Sequence, residues 1–209
     1  MPGQGTHRTV MIQAEAVGRV SRIILVCEGW RDSAFARGFL VAAQVDPRAI
    51  ESRQNPGGSG HDWVRKQFAA EVANLARFSE GRGVLALLDE DGQGAAVRQR
   101  EVEEHLKECA LGAISAQKGR CLLLPTRNLE TWLYWLTAHR CGASVEVDET
   151  TDYKQMGPPK GLQRISNQDC RPAGETLHSL DHKQPPIGCP PMLVSGLGHL
   201  RAFLNAVRR

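Results

Sequence analysis

The stretch "IILVCEGWRDSAF", residues 23–35, carries four apolar residues and a cysteine straight into Glu28-Gly29. "RIILVCE" (22–28) is apolar on both faces, which predicts a strand buried on both sides, as in a parallel sheet. "RDSAFARGFLVAAQV" (31–45) then spaces Phe35, Phe39, Leu40 and Ala43 as a helix would. A buried strand that ends in a bare carboxylate and a glycine marks either a plain turn or chemistry at the strand tip.

The same alternation continues along the chain. "GVLALLD" (83–89) and "RCLLLPT" (120–126) predict two further buried strands, and "RAIESRQ" (48–54) a more polar one. Helices are predicted over 61–80, with a stripe of Trp63, Val64, Phe68, Val72, Leu75 and Phe78, and over 94–111 and 127–140. Strand–helix alternation implies parallel strands joined by helical crossovers, an α/β sheet of Rossmann-like layout flanked by helices. Such sheets bind ligands at the carboxyl ends of their strands. Those ends carry Glu28, Asp89 and the Thr126-Arg127-Asn128 corner. From 141 to about 195 the chain is rich in proline and reads as irregular structure with short helices; an amphipathic helix is expected over 198–209. The expected organisation is an extension over 1–20, an α/β core over 21–140, and a C-terminal portion over 141–209 packed on that core.

Composition narrows the classes. The chain has 209 residues, 41% of them apolar and 23% charged, an ordinary globular balance. Its net charge of +3 does not by itself announce nucleic-acid binding. No run approaches the ~18 apolar residues of a membrane span, and residues 1–20 lack a signal-peptide pattern, so a cytoplasmic protein is expected. The six cysteines form no CxxC pair, and disulfides are not expected in that compartment. His178 and His182, flanked by Cys170 and Cys189, could suggest zinc, but the usual short cysteine spacing is missing. "GGSG" (57–60) is followed by no GK[ST] and reads as a loop, so ATP hydrolysis by this chain is not expected.

"VLALLDEDGQG" (84–94) gives the strand-tip carboxylate of Glu28 a context. Residues two apart on an extended chain point the same way, about 6.5–7 Å apart, so Asp89 and Asp91 are expected to converge while Glu90 points elsewhere. If the Glu28 strand is the neighbour, about 4.8 Å away, three carboxylates meet at one sheet edge. Such a cluster must take up protons or a cation. Hard oxygen donors favour Mg²⁺ or Mn²⁺ over zinc, and ions of this kind serve phosphodiester cleavage. Gly29 and Gly92 are expected to allow sharp turns and close approach of a ligand.

Plainer roles stand beside these. Glu28 could cap the following helix, Asp32 and Glu130 could be first-turn helix acids, and Asp89 and Asp91 could be turn formers. Arg127 either contacts a phosphate or pairs with a core carboxylate, pairing being the preferred reading. Trp132 and Trp135 read as core, and Arg201, Arg208 and Arg209 as a solvated helix face, with tracking of a phosphate backbone the other reading of this basic run.

Glu28-Gly29-x-x-Asp32-x-x-Phe35, a helix–strand interval, then Asp89-x-Asp91-Gly92 resembles the Toprim domain of topoisomerases, bacterial-type primases and OLD-family (overcoming lysogenisation defect) nucleases. "EGWRDSAF" is closer to the OLD-like branch. "LPTRNLETWLYWL" (124–136), "PPKGLQRI" (158–165) and "LRAFLNAVRR" (200–209) resemble small stand-alone Toprim-like proteins of bacterial defence loci, often encoded beside an ABC-type ATPase. The resemblance spans residues 20–209. It implies Glu28 as metal ligand or general base, Asp89 and Asp91 as metal ligands, and Asp32 as support for a second metal. It matches Glu130 to the acid after the last core strand. It also matches Lys160 to a late lysine that offsets charge on the phosphate, with Lys154 a rival. The implied activity is Mg²⁺- or Mn²⁺-dependent cleavage of DNA or RNA by a water nucleophile, as effector of an anti-phage system with an ABC/SMC-type ATPase partner; self-association stays open. A non-catalytic Toprim-like subunit docking on an ATPase or nucleic acid is the alternative, and a phosphotransfer enzyme using the same acids is a third class. Only Tyr134 and Tyr153 are present and neither is placed as a topoisomerase nucleophile, so strand passage is not expected.

Overall fold

The computed structural model describes residues 20–57, 59–75, 77 and 81–209. The expected extension over 1–20, Val20 excepted, and Phe78 of the helical stripe lie outside the described residues.

Four strands, β1 (Arg22–Cys27), β2 (Ile50–Gln54), β3 (Arg82–Leu87) and β4 (Arg120–Leu123), form one parallel sheet in the order β2-β1-β3-β4. Their apolar runs are explained by burial on both faces. Ile23, Leu25 and Cys27 join one core cluster, Ile24 and Val26 another. The first face is covered by α1 (Trp30–Ala42), α4 (Leu129–Arg140), α6 (Asn167–Ser179) and α7 (Pro191–Val207), the second by α2 (Gly60–Leu75) and α3 (Ala95–Glu108). The layout is the Rossmann-like α/β sheet expected. Cys27 lies opposite both Gln54 and Leu87, and Leu87 opposite Leu123, so the carboxyl ends of all four strands are level.

The topology selects one crevice. From β1 the chain steps outward to β2, then returns past β1 to β3 on its other side. The order therefore reverses between β1 and β3, where connections leave in opposite directions and open a cleft. Glu28 and Asp89 follow those two strands.

Several boundaries differ from expectation. Pro47–Ala49 forms a single 3-10 turn before β2, because Asp46 accepts the Arg48 amide at 2.9 Å and Pro47 suits a first helical position. β3 and β4 stop at Leu87 and Leu123, short of the polar tips. The largest difference is in the proline-rich segment, which holds the thirteen-residue helix α6 as well as the four-residue α5 (Tyr153–Met156). Pro172 lies inside α6 and removes a ladder hydrogen bond, which hides the helix from a reading by propensity. Tertiary packing restores it. A Cβ on Gly38 of α1 would lie 2.2 Å from the Arg171 carbonyl, and one on Gly174 of α6 would lie 2.0 Å from the Phe35 carbonyl. The two glycines let these helices touch backbone to backbone, and Ser166 with Asp169 forms a capping box at the start of α6.

α7 starts at Pro191, earlier than expected, since proline at a first helical position forfeits no hydrogen bond. Arg201 and Arg208 are not a solvated face. Arg201 donates to the Leu180 carbonyl and Arg208 to the Ala43 carbonyl, tying α7 to the chain ends that follow α6 and α1. Trp132 and Trp135 are core residues, as expected. Among the described residues no helix is long and apolar enough to cross a membrane.

Candidate active site

β1 delivers Glu28 to the cleft, and α1 starts two residues later. Gly29 is extended (φ −144°), a conformation open to any residue, so no sharp turn explains it. Asp32 caps α1: its Oδ2 accepts the Gly29 amide at 2.9 Å. The glycine that Glu28 does require is Gly60, at the start of α2. A Cβ there would lie 2.5 Å from Glu28 Oε2. Glu28 Oε1 is buried and has no hydrogen-bond partner.

The tip of β3 departs from the extended geometry expected of it. Asp91 is left-handed (φ 51°), so it does not repeat the direction of Asp89. Asp89 is buried; its Oδ1 accepts the Leu129 amide at 2.9 Å and its Oδ2 pairs with Lys154. Glu90, expected to point elsewhere, is also buried, and its Oε1 accepts the Arg127 amide at 3.1 Å. Asp91 is exposed and carries no side-chain hydrogen bond among the described residues.

The β4 corner closes the site. Arg127 is left-handed (φ 59°) and its carbonyl accepts the Asp91 amide at 3.0 Å. Asn128 donates to Asp152 at 3.0 Å, which docks the α5 loop on the corner. Glu130, in the first turn of α4, is buried and paired with Arg31 at 2.9 Å. Lys154, on α5, reaches Asp89, while Lys160 is exposed and makes no hydrogen bond or ion pair among the described residues. Lys160 is thus replaced by its rival: Asp152 caps α5 and aims the following lysine at the cleft.

The electrostatics record the crowding. Burial, then Asp32 and Asp91, pushes Glu28 up to about 7, opposed by Lys154 and Arg98. Burial raises Asp32 to about 6, with Glu130 adding to the rise and the Gly29 amide opposing it. Burial and then Asp32 push Asp89 up as well, with Lys154 opposing. Burial alone would lower Lys154; the Asp89, Glu130 and Asp32 carboxylates reverse that and hold its ammonium charged. Glu28, Asp32, Asp89 and Glu130 are therefore linked electrostatically through Lys154, and Asp91 reaches the group through Glu28.

Ten buried side-chain atoms among the described residues lack a hydrogen-bond partner, and five sit at this edge: Glu28 Oε1, Thr126 Oγ1, Arg127 Nε, Asn128 Oδ1 and Glu130 Oε2. Unsatisfied buried groups are rare in folded proteins, and their concentration at one sheet edge marks a place for water or ligand. Four of the five are oxygens, and the acids of the cluster offer carboxylate oxygens, which suits Mg²⁺ or Mn²⁺. Among the described residues, however, no group of three or more His, Cys, Asp or Glu is already placed to hold a metal ion. The chemistry of the donors fits a hard divalent cation, and Asp89 becomes a donor to it only when Lys154 leaves Oδ2.

Cys170, His178, His182 and Cys189 are dispersed. Cys170 is in the core, His178 packs edge-on against Phe39 at 5.5 Å, His182 sits 3.1 Å from Arg201, and Cys189 is half-buried. Sequence reasoning missed the Gly60 contact and the inward Glu90; neither leaves a signal in local pattern, since both depend on which elements pack side by side.

Compared with known proteins, the chain matches no family model, no curated protein and no solved structure.

Proposed function

We propose that this protein is a divalent-metal-dependent phosphodiesterase of Toprim-like type that cleaves nucleic acid. The observation that carries the reading is the gathering of Glu28, Asp32 and Asp89 at the β1/β3 switch point with Asp91 at its exposed rim, Glu28 being raised by burial and then Asp32, and Asp32 by burial and Glu130. Carboxylates so perturbed in a cleft are poised for catalysis or for a cation. When bound, a divalent ion supplies Lewis acidity to the phosphate and lowers the pKa of a water. Glu28, near neutrality at about 7, is suited to hold an ion or take a proton from that water. Asp89 and Asp91 complete the oxygen donor set, and Asp32 holds the start of α1 in place beside them. The Lys154 ammonium, once off Asp89, offsets negative charge growing on the phosphate. The resemblance to defence-locus proteins supports a role as the effector of an ABC/SMC-type ATPase in anti-phage defence.

The test is cleavage of supercoiled plasmid and of RNA with Mg²⁺ or Mn²⁺. Asp89→Asn with Asp91→Asn is expected to abolish it; full cleavage by the double variant refutes the site. A second reading, a non-catalytic docking subunit, is favoured by the Asp89–Lys154 pair, which neutralises the centre of the cluster without a metal. That reading expects no cleavage by the wild-type protein and no consequence of the double substitution for partner binding.

A further inference from the structure

We infer that Arg127 binds a phosphate of the nucleic-acid strand next to the one cut at the carboxylates, inside the cavity between the β3 tip and α5. The inference rests on the phosphodiesterase reading. The cavity has a volume of about 530 Å³ and is lined by Asp91, Arg127, Thr150, Thr151, Asp152 and Gln155, among others. Asp91, on its lining, directly follows the β3 tip that carries Asp89 and Glu90, and the cavity wall formed by α5 begins at Asp152, two residues before the Lys154 that pairs with Asp89.

Arg127 is held there from both sides. Its amide donates to Glu90 Oε1 at 3.1 Å and its carbonyl accepts from Asp91 at 3.0 Å. This fixes a left-handed backbone that costs a non-glycine residue about 1–2 kcal/mol. The guanidinium lies over Gly92, where a Cβ would fall 2.0 Å from Nη1. Any side chain at residue 92 would dislodge it.

Pairing with a core carboxylate was the preferred sequence reading for Arg127, and the structure contradicts it. Among the described residues the guanidinium makes no hydrogen bond and no ion pair, and its Nε is buried without a partner. Of the acids close by, Asp89, Glu90 and Asp152 are committed elsewhere, while Asp91 lines the same cavity and makes no ion pair with the guanidinium among the described residues. Asp89 is taken by Leu129 and Lys154, Glu90 by the Arg127 main chain, and Asp152 by Asn128 and the amides that it caps. What remains is an unpaired guanidinium on a backbone held at both its amide and its carbonyl, lining a cavity, with the donor fork that matches a phosphate. Backbone-directed contact of this kind carries no base preference.

Binding is measured by fluorescence anisotropy in EDTA, so that no cleavage occurs, using single-stranded DNA and RNA about 12 nucleotides long over a range of NaCl concentrations. Arg127→Ala is expected to weaken binding about tenfold and to lower the salt slope by about 0.7, the loss of one phosphate contact. Arg127→Lys is expected to keep the slope. Arg127→Gly, which removes the backbone strain, serves if the alanine variant melts early. Unchanged affinity and slope in both the alanine and glycine variants overturn the inference and leave the phosphodiesterase reading standing. Failure of the wild-type protein to bind either strand overturns the inference as well, and plasmid cleavage by that same protein then shows whether the phosphodiesterase reading falls with it.

Discussion

Asp91 and Arg127 hold one another in left-handed backbone conformations, φ 51° and 59°, at the tips of the adjacent strands β3 and β4, with the Asp91 amide donating to the Arg127 carbonyl at 3.0 Å. Two non-glycine residues in this region, facing each other, amount to strain maintained at a cleft, a pattern typical of functional sites. Asp91→Gly is expected to fold about 1 kcal/mol more stably than Asp91→Ala, because only glycine enters this conformation without a Cβ penalty. Both variants are expected to lose cleavage. Urea unfolding and plasmid nicking, run side by side, separate the two effects; equal stability of the pair would show that the backbone at residue 91 carries no strain.

Lys154 is the cation of the cluster. Lys154→Met leaves the buried Asp89 carboxylate with the Leu129 amide as its one remaining described partner and is expected to cost about 1–3 kcal/mol. Mn²⁺ should compensate. The variant is expected to gain more in Tm from Mn²⁺ than the wild-type protein does, since no ammonium competes for Oδ2. An equal gain in both proteins contradicts a shared position for the two cations.

The strand ends of this fold were legible in the sequence, and the local geometry at them was not. Continuous apolar runs disclosed β1, β3 and β4, and alternation with helices disclosed the parallel sheet that sets Glu28 beside Asp89. The period-two alternation does not reach Asp91, because the strand has already ended at Leu87 and Asp91 adopts a left-handed turn conformation. α6 stayed hidden for a different reason. Its apolar stripe is sparse and broken by Pro172, and what stabilises it is the close approach at Gly38 and Gly174, a fact of tertiary packing. The choice between Lys154 and Lys160 was likewise settled by where the Asp152 cap placed α5.

Glu28 and Asp32 make stability depend on pH. Their folded-state values, about 7 and about 6, lie above the ordinary carboxyl range of about 4. Between about pH 4 and 7 the folded protein therefore binds more protons than the unfolded chain, so this contribution favours folding at acid pH and fades as pH rises through the folded values. Glu28→Gln removes the Glu28 share of it. Measured by urea unfolding, the variant is expected to gain stability relative to wild type on going from pH 5 to pH 7.5; an identical difference at the two pH values would mean that Glu28 ionises normally.

The central claim is that the carboxylates of the β1/β3 cleft hold a divalent ion. Titration calorimetry of Mn²⁺ into the protein at pH 7.5 tests it most directly. Saturable binding by the wild-type chain, lost when Glu28→Gln is combined with Asp91→Asn, is the predicted result. A wild-type chain that takes up no Mn²⁺, or a double variant that binds it as tightly, contradicts the account.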